Sequence, residues 1–205
     1  MLTHVSSPDA AWAPRLALLL HGYGADERDL AGLAGYLPRG LAWAAVRAPN
    51  RGPGPGYSWF SLEDTDFGEQ DAVEAATELL WEWVDANCAP DARLVPIGFS
   101  QGGLMASQLL RTRPARVDGI ALLSGYVMDA PQPADDVLAQ NRPRAFWGRG
   151  TADVVIPQVV GELTEVWLPE YTSLESHIYQ GLGHAVSEAE LADLQRFVAS
   201  VVSPT

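Results

Sequence analysis

Apolar and polar positions fall into two alternating regimes along these 205 residues. Residues 16–20, 41–46, 94–97, 120–123, 145–147 and 174–179 are short stretches that read as strands, several of them apolar on both faces. Between them, residues 69–86 carry Val73, Ala76, Leu80, Trp83 and Val84 at three-to-four-residue spacing, which puts these side chains on one face of a long helix. Shorter helices are expected over 30–37, 102–113 and 159–167. A last helix begins at Ser187, which can cap it while Glu190 returns a bond to the cap. Leu191, Leu194, Val198 and Val201 supply its buried stripe to about residue 202. Six strands alternating with helices predict an α/β fold, a mostly parallel sheet wrapped by crossover helices.

The interruptions are as informative as the elements. Gly52-Pro53-Gly54-Pro55-Gly56 can sustain neither helix nor strand pairing and reads as a loop. Residues 129–143, rich in Pro and Asp, form a second expected loop, too short to be a cap domain, so the site is expected to be open. The length suits one domain over 1–205 with one substantial core.

Charge removes some function classes. A formal charge of -13 gives the average surface a sign that repels phosphate backbones and anionic headgroups, so nucleic acid is not an expected partner. The one cysteine, Cys88, has no partner for an internal disulfide and reads as a buried or half-buried thiol. Residues 1–14 contain no Lys or Arg, and the run at 16–20 is far too short for a bilayer. The expectation is a cytoplasmic protein without membrane insertion.

The chemistry concentrates at four turns. Gly98-Phe99-Ser100-Gln101-Gly102 matches G-x-S-x-G, follows the strand at 94–97 and opens the next helix. Such a turn presents a serine hydroxyl at the top of a sheet, and the hydroxyl then needs a base and an orienting acid. Of four histidines only His177 and His184 lie beyond Ser100; His177 alternates within a strand, whereas His184 sits in a glycine-rich loop where an imidazole can reach the nucleophile. For the acid, Asp153 in Gly150-Thr151-Ala152-Asp153 lies just past a strand, at the edge where α/β sites form, with Asp129 in reserve. An oxyanion needs two waiting N–H donors. Gln101 supplies one, and the amide of Tyr23, in Leu20-His21-Gly22-Tyr23-Gly24, the other, His21 shaping that loop. Tyr57, Trp59 and Phe60 are candidates for a pocket wall or for core packing.

Four segments together make the chain resemble the phospholipase/carboxylesterase family of α/β hydrolases over nearly its whole length. They are Leu20-His21-Gly22-Tyr23-Gly24-Ala25-Asp26, Gly98-Phe99-Ser100-Gln101-Gly102-Gly103, Gly150-Thr151-Ala152-Asp153 with Val155-Ile156-Pro157, and Gly183-His184-Ala185-Val186-Ser187. The resemblance implies an α/β-hydrolase fold and Ser100, Asp153 and His184 as nucleophile, acid and base. It implies Tyr23 and Gln101 as oxyanion donors, no metal or cofactor, and an ester or thioester substrate for a monomer or homodimer. Short-chain carboxylic esters are the expected substrates, with acyl-thioesters or lysophospholipids as alternatives. A non-catalytic binding module on the same scaffold is a third reading. Where family members commonly carry aspartate after the Trp-Phe pair, this chain has Ser61, and the region 124–144 is short. Both departures lie around the substrate.

Overall fold

The computed structural model describes residues 2–52, 54–62 and 68–203; Pro53 of the Gly/Pro loop lies outside them. The strands are β1 (His4–Ser6), β2 (Arg15–Leu20), β3 (Ala42–Val46), β4 (Asn50–Arg51), β5 (Tyr57–Ser58), β6 (Arg93–Phe99), β7 (Gly119–Leu123), β8 (Arg144–Gly150) and β9 (Ser173–Tyr179). The helices are α1 (Gln70–Asn87), α2 (Gln101–Thr112), α3 (Asp135–Asn141), α4 (Gln158–Tyr171) and α5 (Glu188–Val202), with 3-10 turns at Leu30–Tyr36 and Pro114–Arg116.

Seven strands form one sheet in the order β1-β3-β2-β6-β7-β8-β9, parallel except for β1, which runs antiparallel along β3. The extra strand β1 was not foreseen, because three partly exposed residues carry no apolar run. β2, β6 and β7 are central and almost wholly buried, which is why their sequences are apolar without alternation. One face of the sheet packs against α1, α2 and α4 through Val73, Leu80, Leu104, Leu109, Val160 and Trp167. The other face is covered by the turn at 30–36 and by α5, through Leu30, Leu33, Leu194, Phe197 and Val198. Cys88 is buried, and burial pushes its thiol up to about 11.

Two expectations are corrected. The segment 129–143 is not all loop: it contains α3, whose first turn carries Asp135 and Asp136 and whose end is Arg142 in the left-handed region, φ 43°. Seven residues are too few to show helical periodicity. The capping box of α5 is half formed. Ser187 Oγ accepts the Glu190 amide at 3.2 Å, but the Glu190 carboxyl turns inward against Gly148, fully buried with neither oxygen hydrogen-bonded among the described residues.

That buried carboxyl has a consequence for stability. Desolvation raises Glu190 from 4.5 to about 7, so between these values the unfolded chain releases a proton that the folded chain keeps. Stability contributed at this position is intact below about 4.5 and is lost as pH rises toward 7. Glu190→Gln, which holds the neutral shape, is expected to gain about 2 kcal/mol relative to the parent between pH 5 and pH 8. Urea unfolding at the two pH values measures it; an equal difference at both would contradict the assignment.

Candidate active site

The turn that presents Ser100 is made possible by its glycines. A Cβ on Gly98 would overlap the Gly102 carbonyl, and one on Gly102 would overlap the Leu20 carbonyl, so β6 can turn into α2 only with both positions bare. Ser100 itself takes φ 53°, ψ -118°, a conformation costly for an L-residue. It is held there by its N–H to Leu123 O at 2.9 Å and by the Gly103 N–H donating to its own carbonyl at 2.8 Å. Ser100→Gly should relieve the strain, about 1 kcal/mol or a melting temperature roughly 2–4 °C higher. Calorimetry of the two proteins checks this.

Asp153 and His184 come together at the carboxyl edge beyond β8 and β9. The two turns are stitched by Thr151 N–H to Tyr179 O at 3.0 Å, Ala152 N–H to Leu182 O at 2.9 Å, and Gly181 N–H to Thr151 Oγ at 2.8 Å. Asp153 Oδ1 accepts the amides of Val155 and Ile156 at 2.9 and 3.2 Å, which fixes the carboxylate plane. Oδ2 lies 2.8 Å from His184 Nδ1. With Nδ1–H donating to the carboxylate, Nε2 is left as the ring's free acceptor. The imidazole packs on Phe99, ring centres 4.8 Å apart, one residue before Ser100. Among the described residues no hydrogen bond yet joins Ser100 Oγ to His184, an arrangement common before substrate binds.

On the other side of Ser100 lies the loop after β2. Its His21 is buried, with Nε2 accepting the Ala48 amide at 3.1 Å, so Nδ1 carries the proton and donates to Gly22 O at 2.8 Å. Desolvation lowers the His21 pKa, which keeps this tautomer neutral. Because the Gly22 carbonyl and the Tyr23 N–H share one peptide plane and point oppositely, His21 orients the Tyr23 amide. Among the described residues neither the Tyr23 nor the Gln101 amide donates a hydrogen bond, and Gln101 opens α2, where the helix leaves its first amides unpaired.

The other predicted residues separate. Trp59 and Phe60 are core residues rather than a pocket wall, 0% and 1% exposed. The Gln101 side chain pins them, accepting Trp59 N–H at 2.8 Å and donating to Phe60 O at 2.9 Å. Tyr57 is half-buried under the guanidinium groups of Arg47 and Arg51. His177 is engaged by Glu175 and Asp193 and stacks on Phe146. Asp129 is exposed beside an apolar groove of about 420 Å³ formed by Val127, Met128, Val159, Leu163 and Val166. Sequence reasoning overlooked Phe99, which fills the variable position of the serine motif, and the Gln101 side chain, whose carbonyl and amide groups only the fold brings against residues 59 and 60.

Comparison with known proteins bears on the family and the fold. A family model described as Phospholipase/Carboxylesterase matches residues 3–202. Acyl-protein thioesterase 1 of Kluyveromyces lactis is 26% identical, the alignment covering 93% of each chain. Among solved structures, the carboxylesterase of Bacillus cereus superposes with a TM-score of 0.80 at 22% identity, covering 98% of this chain and 95% of the other. Esterase PE8 gives 0.77 at 27% identity, with 98% and 99% covered.

Proposed function

The chain belongs to the phospholipase/carboxylesterase family, and from that premise we propose that it hydrolyses carboxylic esters through an acyl-enzyme formed on Ser100. The observation that carries this reading is the 2.8 Å bond between Asp153 and His184, with the imidazole packed on Phe99 beside a serine at φ 53°. In this mechanism His184 Nε2 takes the Ser100 proton as Oγ attacks the ester carbon. The Tyr23 and Gln101 amides receive the negative oxygen of the tetrahedral intermediate. Collapse breaks the bond to the alcohol oxygen, which leaves with the proton from His184; a water, deprotonated by the same nitrogen, then frees the acyl group and restores Ser100. The fixed carboxylate of Asp153 stabilises the imidazolium formed in each half.

Short-chain esters are the primary substrates in this reading. The apolar groove beside Asp129 favours a second one, in which a longer acyl chain, as ester or thioester, lies along α4. No helix among the described residues is long and apolar enough to cross a membrane. The reading takes residues 1–205 as one domain, cytoplasmic and monomeric or homodimeric, which fractionation and light scattering test.

A p-nitrophenyl ester series from acetate to palmitate tests the activity and separates the two readings. Turnover highest at acetate or butyrate, and absent in Ser100→Ala, is expected. Turnover rising beyond octanoate would favour the second reading, and undiminished turnover by Ser100→Ala would overturn both.

A further inference from the structure

The two amides assigned to the oxyanion come from distant stretches of chain, and one short segment touches the surroundings of both. Its residues, 57–60, follow the Gly/Pro loop, which has no part in the acyl-transfer steps. That loop closes with Gly52 N–H donating to Gly56 O at 2.9 Å, after which β5 pairs with β4 and bridges to Ala25 in the loop after β2. A Cβ on Gly56 would stand 1.8 Å from the Gly24 carbonyl oxygen, so the two loops meet backbone to backbone.

Tyr57 grips the residues that follow Tyr23. Its carbonyl accepts the Gly24 amide at 2.8 Å, and its own amide donates to Ala25 O at 2.8 Å. Trp59 grips the chain before Tyr23, its indole Nε1–H donating to His21 O at 2.9 Å. Between these points the Gly22 carbonyl accepts His21 Nδ1–H and, at 3.3 Å, the Ala25 amide, so the Gly22–Tyr23 peptide is held from both sides. The same segment then reaches the second donor. Gln101, 1% exposed, accepts the Trp59 amide with its side-chain oxygen and donates to Phe60 O with its nitrogen.

An ion pair anchors the outer end. Arg47, just past β3, binds Glu27 through Nε to Oε2 at 2.6 Å and Nη2 to Oε1 at 2.8 Å. The same guanidinium lies over the Tyr57 ring, and its Nη1 donates to the Tyr57 hydroxyl at 3.2 Å. Glu27 is buried, and its bond to Arg47 holds its carboxyl below the usual range. Because the next residue, Ala48, donates to His21 Nε2, two consecutive residues hold both ends of the loop that carries Tyr23. On the inner side no side chain wedges the donors apart. Gly22 lies against the Phe99 ring and Gly102 against the Leu20 and His21 carbonyls, each without room for a Cβ.

We propose that residues 57–60 are a brace that fixes the separation of the two oxyanion donors, with Trp59, the Gln101 side chain and the Arg47–Glu27 pair as positioning residues. The inference rests on the acyl-enzyme reading above, in which these groups act only through the Tyr23 and Gln101 amides. Such amides stabilise the negative oxygen because they already point at the place where it forms. The uncharged carbonyl of the bound ester gains far less from the same spacing, so a loosened brace costs the transition state and spares substrate binding.

The test uses Gln101→Met, Glu27→Gln and Trp59→Phe, which keep most of each side chain and remove bonds at three points of the brace. Trp59→Phe deletes one N–H and retains an aromatic ring, so it stays informative should the other two fail to fold. End-point titration with a fluorophosphonate counts competent sites. Turnover of p-nitrophenyl butyrate per titrated site is then compared with the Ki of propyl trifluoromethyl ketone. Ser100 Oγ adds to this ketone's carbonyl carbon, His184 takes the serine proton, and the carbonyl electron pair becomes the same negative oxygen. Each variant is expected to lose about tenfold in kcat, less than the roughly 10²–10³-fold cost of deleting a donor, with KM within about twofold. The ketone Ki should rise by the factor by which kcat falls. Losses confined to melting temperature and titratable fraction, or falling on KM with the ketone Ki unmoved, would overturn the brace alone. Parent protein that neither cleaves the ester nor binds the ketone would overturn the hydrolase reading with it.

Discussion

Asp153→Asn is expected to lower kcat for p-nitrophenyl butyrate by about 10⁴-fold while leaving the melting temperature within a few degrees of the parent. The substitution preserves size and the Oδ1 contacts to Val155 and Ile156. What it changes is the other side of the group. An amide nitrogen facing His184 Nδ1 would demand a lone pair there, driving the proton to Nε2, where it blocks acceptance of the Ser100 proton. The loss should therefore fall on kcat and not on KM, because no substrate contact is removed. A loss of less than tenfold would show that Asp153 merely braces the turn after β8, and attention would pass to another carboxylate. Asp129, the reserve candidate, is exposed beside the apolar groove, so Asp129→Asn is expected to leave kcat unchanged.

Arg111→Ala is expected to destabilise the fold by about 3–5 kcal/mol, a fall of roughly 10 °C in melting temperature. Arg111 is 2% exposed, yet every side of its guanidinium is used. It donates to both oxygens of Asp135 at 2.9 and 2.7 Å, to Met128 O at 2.9 Å and to Ala130 O at 2.7 Å, and it lies over the Trp167 ring. Truncation strands a mostly buried carboxylate and two carbonyls at once. Those carbonyls belong to the segment after β7 that walls the apolar groove and leads into α3, so the loss should reach acyl-chain selectivity as well as stability. Thermal unfolding of Arg111→Ala, Asp135→Asn and the double variant measures the coupling; additive effects would mean that the pair does not act as a unit.

The two predictions concern residues of very different legibility in the sequence. Asp153, His184 and Ser100 stand at turns whose glycines announce the backbone they need, each just past a strand, so chain position alone puts them at one sheet edge. The central strands β2, β6 and β7 were readable because a strand buried on both faces has few polar residues to obscure it. Arg111 carried no such mark. An arginine near the end of a helix is ordinarily solvated, and only the tertiary path of residues 128–135 turns it into a buried clamp. β1 escaped notice because it is held by backbone pairing at the edge, which three exposed residues do not advertise, and α3 because it is stabilised by Arg111 from another element.

The site divides along the same line. Groups that act through covalent geometry, such as the bare turn at Gly98 and Gly102 or the Gly22–Tyr23 peptide, are set by local sequence. The roles of other side chains depend on which elements the fold makes neighbours. Trp59 and Phe60 looked like pocket residues because they follow a loop, and the Gln101 side chain buries them instead.

The most direct test of the central claim is mass spectrometry of the protein after brief exposure to a fluorophosphonate. An activated serine is required for this reaction, so the account predicts a single adduct, mapping to the peptide that contains Ser100, absent from Ser100→Ala and strongly slowed in Asp153→Asn. Folded parent protein that takes up no label, or takes it up on a serine other than Ser100, would contradict it.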